Sequence, residues 1–348
     1  MTDAPMAIYG LDVIDPENHI YARLPEEDRA GLNETAAKLA GDSCGGRLRF
    51  RTNAKQISVK LRLHSNRVDC LIPLTGSAGV DVYVGTGLRA RFCGQVSPKN
   101  YTELEKEKKI SLQHYAAEAE TVSVTICFPR NEPVAGLEIG FPDTAEVLPP
   151  EPFTCPERIC FYGSSITAGG CASRPGNAYT ATVARWLDCD YQNLGFSGSA
   201  LGELAAAELI ARRNFTMFVM DYDHNAPNAE HLQDTHEAFY QCIRQAHPDM
   251  PILMMTKPDF RMDSLYNNQR RDVIFRNYMR AREVGDRHIY FLDGESFFAG
   301  PARENCLVDG LHPNDLGFYL MAEKVYDRIL DILEAGKRKE YHDERRTY

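Results

Sequence analysis

The chain is 348 residues long, 43% hydrophobic and 25% charged, with a formal net charge of −10. That length and apolar content suit two domains with cores of their own. The acidic balance, with no dense Lys/Arg block before the C-terminal tail, argues against nucleic acid or an anionic membrane as partner.

The first residues, MTDAPMAIYGLDVIDPENH, lack the cationic start and apolar run of a signal peptide. No stretch approaches the roughly 18 apolar residues that a bilayer span requires. The ten cysteines are scattered without a C-x-x-C pair, which gives a structural zinc site little support and predicts reduced thiols. A cytoplasmic protein is the expectation.

Residues 1–150 read as β. QISVKLRL (56–63), GVDVYV (79–84), LRARFCG (88–94), TVSVTICF (121–128) and LEIGF (137–141) alternate apolar and polar residues with a period of two. Several half-buried strands at short spacing predict a sandwich or jelly roll. EVLPPEPFTCPE (146–157) then carries four prolines, which block both a helix and a central strand, and marks the boundary.

Beyond it the period changes. RICFYG (158–163), YQNLG (191–195), FTMFVMDY (215–222), PILMMT (251–256) and HIYFLDG (288–294) are apolar runs of strand length. Between them AYTATVARWL (178–187), ELAAAELIARR (203–213) and AEHLQDTHEAFYQCIRQA (229–246) have helical spacing. Strands alternating with helices predict an α/β/α domain over 157–335 with a parallel sheet. The charged residues 336–348 read as a solvated helix end or tail. In such sheets the ligand crevice lies beyond the carboxyl ends of the strands.

Four of the five strand ends carry chemically capable groups: Gly163-Ser164-Ser165-Ile166-Thr167, NLGFSGSA (193–200), DYDHNAP (221–227) and, after the last strand, LVDGLHPND (307–315). Each has an ordinary reading when taken alone. Serine is a favoured helix cap, D-G-L-H-P-N suits a turn, and an asparagine in a loop commonly bonds its own backbone. A nucleophile among the serines would need a base elsewhere in the chain.

In order, these blocks resemble those of the SGNH, or GDSL-type, hydrolases. GSSIT (163–167) is similar to the GDSxT block, FSGS (196–199) to the glycine block, DHNA (223–226) to G-x-N-D, and DGLH (309–312) to D-x-x-H. GVDVY (79–83) resembles the G-x-D-L-Y motif of a β domain that precedes one branch of these esterases. The resemblance covers roughly 157–335 and implies a flavodoxin-like hydrolase domain. It implies Ser165 as nucleophile, His312 as base and Asp309 as the group that orients the imidazole. The Ser165 and Gly198 N–H groups and the Asn225 amide would form the oxyanion hole.

The chain departs from the pattern in three places. Ser164 stands where the family has an acid, and Asp223 and Ala226 replace the glycine and aspartate of the third block. Ser164 is therefore a rival nucleophile, and His224 an added imidazole beside the site. Arg174 and Asn177 lie where a substrate could be met, although a surface-loop role competes. GFSGS (195–199) misses the G-x-S-x-G elbow, which leaves Ser197 structural. Cys171 reads as a packing thiol.

The resemblance implies a serine esterase acting on short-chain acyl esters, O-acetyl groups on a carbohydrate or oligosaccharide first among them, without metal or cofactor. Two alternatives stand beside it. One is a carbohydrate-binding protein with a degenerate site. The other is a metal-dependent hydrolase using Asp221, Asp223 and His224 with Asp309 and His312. The β domain could lend residues to the cleft, bind sugar or join copies of the chain into a homo-oligomer.

Overall fold

A computed structural model describes residues 5–113 and 121–346, the side chains of 337–346 excepted. The first part is antiparallel. One sheet runs β1 (Ala7–Tyr9), β4 (Arg47–Thr52), β9 (Val122–Cys127), β6 (Val80–Val84), β7 (Arg91–Val96), with β11 (Val147–Leu148) also pairing β4. A second runs β10 (Val134–Gly140), β5 (Gln56–Leu63), β8 (Glu105–Ser111). β2 (Val13–Asp15) and β3 (Ile20–Ala22) form a separate pair. The period-two pattern of β5 places Ile57, Val59, Leu61 and Leu63 inward, against Leu48, Phe50, Val82 and Val124 of the facing sheet. That shared core makes the two sheets a sandwich.

The second part is a five-stranded parallel sheet in the order β13 (Asp190–Gly195), β12 (Arg158–Gly163), β14 (Met217–Asp221), β15 (Ile252–Met255), β16 (Ile289–Leu292). This is the flavodoxin-like 2-1-3-4-5 order. Both faces are covered, so β12, β14, β15 and β16 are apolar almost throughout, while the edge strand β13 also buries Gln192 and Asn193. Tyr162, Phe218, Met220 and Ile252 enter one core, and Ile159, Phe161, Val219 and Leu253 the other. The long helices are α1 (Tyr179–Leu187), α2 (Leu204–Ala211), α3 (Ala229–Ala246), α4 (Ser264–Glu283) and α5 (Asp315–Arg346). The charged tail residues up to Arg346 prolong α5.

The two parts are joined by buried polar contacts. Arg23, 1% exposed, donates to the carbonyls of Asn193 and Gly195 at 3.1 and 2.7 Å and pairs with Asp42 at 3.0 Å. The short helix Glu34–Leu39 follows, and its Ala36 packs into the core of the parallel sheet, not into the sandwich. Asp81, in GVDVY, is fully buried and accepts from the Gly176 N–H through both carboxylate oxygens, at 3.2 and 3.1 Å.

Candidate active site

β12 ends at Gly163, where a Cβ would stand 2.1 Å from both the Asp221 carbonyl and Thr167 Oγ1. Only glycine lets the chain turn this close to β14. The segment then coils, with Ala168 N–H donating to Ser164 O and Gly170 N–H to Ser165 O. Ser164 is buried, and its Oγ accepts from the Ile166 N–H at 3.1 Å, a local turn-stabilising bond. Ser165 is left half-buried at the sheet edge, its Oγ 2.9 Å from His312 Nε2.

His312 precedes α5 on the turn Asp309–His312. Asp309 Oδ1 accepts from the N–H groups of Leu311 and His312 at 2.9 and 2.7 Å, and Oδ2 lies 2.8 Å from His312 Nδ1. Burial pulls this carboxyl's pKa upward, but the bonds from His312 and Leu311 outweigh it and hold Asp309 below the usual range. A serine hydroxyl, an imidazole and a carboxylate thus stand in one hydrogen-bonded line. The arrangement can move a proton off the hydroxyl and stabilise the imidazolium that results.

After β13, Gly198 has φ +68°. A Cβ there would meet nothing within 4 Å, so the backbone sense, not space, favours glycine. After β14, Asn225 Oδ1 accepts from the Ala200 N–H at 3.3 Å. That bond commits the oxygen end of the amide and leaves the NH₂ end to donate. Gly198 and Asn225 line the same lobe of the cleft as Ser165 and His312.

The cleft has two lobes. The larger, about 630 Å³, is walled by His224, Lys257, Met262, Asp263, Tyr266 and Leu311 together with the groups just named. The smaller, about 360 Å³, also touches Ser165 and His312 but is closed by the β part through Arg67, Asp69, Ile72, Arg130 and Glu132. Arg130 is buried there and donates to Ser197 Oγ at 3.0 Å, linking the sandwich to the glycine block.

The remaining candidates have other partners. Arg174 and Asn177 bond each other at 2.9 Å, away from both lobes; Arg174 lies 3.6 Å over Phe92 and 3.8 Å from Asp81, facing the sandwich. Asp221 is committed to Thr167 Oγ1 and the Tyr179 hydroxyl at 2.9 and 2.8 Å, and burial followed by Asp223 raises its pKa to about 7. Burial also raises Asp223 to about 6. His224 borders the larger lobe, its Nδ1 buried without a partner; burial, then Lys257, Arg270 and His312, hold it well below its ordinary pKa and therefore neutral. Among the described residues no three His, Cys, Asp or Glu side chains are grouped to hold a metal ion. Burial pushes Cys171 up to about 11, so it is a thiol and not a thiolate at neutral pH.

Sequence reading did not single out Arg130 or Lys257. Each is a lone cation at a loop, with the same local signal as any surface residue. Only the arrangement of the two parts brings Arg130 to the cleft, whereas Lys257 reaches it from the carboxyl end of β15, a strand end that carries none of the family blocks.

A flavodoxin-like sheet with these blocks along its carboxyl edge defines an ester hydrolase of the SGNH type. Residues 156–331 match the GDSL-like lipase/acylhydrolase family, and residues 2–147 match the GxDLY N-terminus of SGNH-hydrolase-type esterases. The chain belongs to the GDSL-like lipase/acylhydrolase family. A sequence search of curated proteins gives no match.

Among solved structures, a putative GDSL-like lipase from Bacteroides ovatus is 27% identical, with a TM-score of 0.82 over 94% of this chain and 96% of that one. The salicylyl-acyltransferase SsfX3 of a tetracycline biosynthetic pathway is 20% identical, with a TM-score of 0.75 over 95% and 96%. A family two carbohydrate esterase from Clostridium thermocellum in complex with cellohexaose is 16% identical, with a TM-score of 0.59 over 84% and 93%. The last two likenesses speak to the fold alone. Among the described residues no helix is long and apolar enough to cross a membrane.

Proposed function

We propose that the protein removes short-chain acyl groups, O-acetyl foremost, from a carbohydrate or oligosaccharide through a covalent acyl-enzyme on Ser165. The observation that carries this reading is the line Ser165 Oγ–His312–Asp309, with contacts of 2.9 and 2.8 Å. In the first half-reaction His312 Nε2 takes the hydroxyl proton as Oγ attacks the ester carbonyl. The tetrahedral oxyanion accepts from the N–H groups of Ser165 and Gly198 and the Asn225 amide. The C–O bond to the alcohol breaks, and His312 returns its proton to the leaving oxygen. Water then repeats the sequence, its proton passing to His312 and then to Ser165 Oγ as the acid departs.

A carbohydrate as the alcohol is favoured by the shared fold of the esterase found with cellohexaose. It is also favoured by the polar lining of the smaller lobe, where the sandwich supplies Arg67, Asp69, Asn131 and Glu132. In this reading residues 1–150 form a β domain that borders the substrate and 157–335 the domain that carries the chemistry. Ten cysteines that are all thiols suit work in the reducing cytoplasm.

The test is hydrolysis of p-nitrophenyl acetate by the wild type and by Ser165→Ala, followed by acetate release from a panel of acetylated sugars. Loss of turnover in the variant with an unchanged melting temperature is expected. Equal rates for the two proteins would end the reading.

A further inference from the structure

Lys257 lies just beyond β15, in the wall of the larger lobe. Its residue is 5% exposed, and its backbone N–H donates to Asp223 Oδ2 at 3.1 Å. Its ammonium has neither a hydrogen bond nor a carboxylate oxygen within 4 Å among the described residues. A lysine buried to this extent with no partner for its charge is rare because desolvation is costly, and the nitrogen keeps some access to the cleft.

The surrounding charges do not supply that partner. Asp259 is held by Arg261 and Arg303 at 3.1 and 2.6 Å, and Asp263 Oδ1 caps α4 by accepting from the Tyr266 N–H. Asp223 keeps Oδ1 buried and unbonded, with Oδ2 on the Lys257 backbone. A second cation stands nearby: Arg270 donates to the carbonyls of Asp223 and Asn228 and to the Tyr266 hydroxyl, with no carboxylate within 4 Å among the described residues. Burial lowers the lysine's pKa while Asp223, Asp259 and Asp263 oppose that change.

We propose that the Lys257 ammonium is the recognition group for a carboxylate on the substrate, so that the preferred esters are those of acidic compounds. The lobe joins Lys257 to Ser165 and His312 without an intervening wall, and Met262, Tyr266 and Leu311 give it an apolar flank. An ester with its carbonyl at Ser165 can therefore extend a charged arm to the lysine. The arm belongs either to the alcohol, as in a uronic acid, or to the acyl group, as in the half-ester of a dicarboxylic acid. This inference rests on the esterase reading of the same site.

The test compares kcat/KM within pairs that differ by one carboxylate. One pair is a mono-O-acetylated methyl glucuronoside and its uronic methyl ester. The other is p-nitrophenyl hemisuccinate and p-nitrophenyl butyrate. The free acid is expected to be favoured in one pair by about tenfold or more, equivalent to about 1.4 kcal/mol. Lys257→Met should erase the preference and Lys257→Arg should retain much of it. A response in the first pair assigns the arm to the alcohol; a response in the second assigns it to the acyl group.

Calorimetric titration of the wild type with glucuronate, succinate and glucose reads the site without turnover and without reliance on a folded variant. Glucuronate or succinate should bind at least about tenfold more tightly than glucose. Equal kcat/KM within both pairs, no advantage for either acid in binding, or a preference that survives Lys257→Met overturns the proposal. If the wild type hydrolyses none of the esters yet binds an acid at least about tenfold more tightly than glucose, and Lys257→Met loses that advantage, the Ser165 chemistry fails and the carboxylate site stands.

Discussion

Asn225→Ala separates the two ends of one amide. On the oxygen side the loss is small, because the Ala200 N–H that donates to Oδ1 at 3.3 Å also donates to the Phe196 carbonyl at 3.2 Å. With that second acceptor kept, the fold should lose no more than about 1 kcal/mol, a melting shift of roughly 2–4 °C at most. On the nitrogen side the proposed oxyanion donor disappears. One such donor contributes about 2.7–4 kcal/mol to the transition state, so kcat should fall about 10²–10³-fold. KM should change little, since the donor addresses charge that develops only after attack.

The assay is steady-state hydrolysis of p-nitrophenyl acetate with melting curves on the same samples. Asn225→Asp is the companion variant. It keeps an acceptor for Ala200 but sets a negative charge beside the oxyanion, and should lose at least as much activity. A kcat within about fivefold of wild type in the alanine variant, at an unchanged melting temperature, would refute the donor role.

Three further outcomes follow from the geometry. Asp221 is raised to about 7 by burial and the neighbouring Asp223, from an ordinary 3.8. The folded state therefore holds a proton that the unfolded state has released, and the stability this gives is lost as pH rises through about 7. Asp221→Asn can still accept from Thr167 and Tyr179, so its melting temperature relative to wild type should improve between pH 5 and pH 8; a difference independent of pH refutes the assignment. Asp81→Ala should cost about 1–3 kcal/mol in urea unfolding, because it strips the buried Gly176 N–H of its acceptor; an unchanged midpoint would show that this contact does not join the two parts. Incubation with EDTA should leave the rate unaltered, and a loss reversed by added divalent metal would instead favour Asp223 and His224 as ligands.

The parallel sheet was legible because its strands are buried on both faces. RICFYG matches β12 residue for residue, and the helix read over 229–246 is α3 without adjustment. α4 was not picked out, for a physical reason: its buried positions include Asn267, Arg270 and Asn277 alongside Val273, Ile274 and Ala281, so no apolar stripe repeats along it. β8, EKEKKIS, is a charged edge strand that buries little beyond Ile110 and likewise gives no alternation of hydrophobic residues. In the site, the family blocks point to Ser165, Asp309, His312, Gly198 and Asn225, which the fold gathers at one rim. The order of Arg174 and Asn177 after the serine suggested contact with substrate. Asn177 instead bonds Arg174 and Ser173, while Arg174 meets Asp81 and Phe92 in the other half of the chain, and no local pattern announces a pairing across that distance.

Arg23 reaches from the first part to grip carbonyls at the end of β13, one strand from the serine. Cutting the protein at its proline-rich junction would leave those carbonyls bare and the smaller lobe without its outer wall. The sandwich is thus part of the mould in which the cleft is cast. Yet the loop at 67–72 that borders the cleft holds none of the reacting groups. Mutation there can reshape that lobe while the serine and its imidazole stay as they are, so the shape of the cleft and the groups on its floor can change independently of each other.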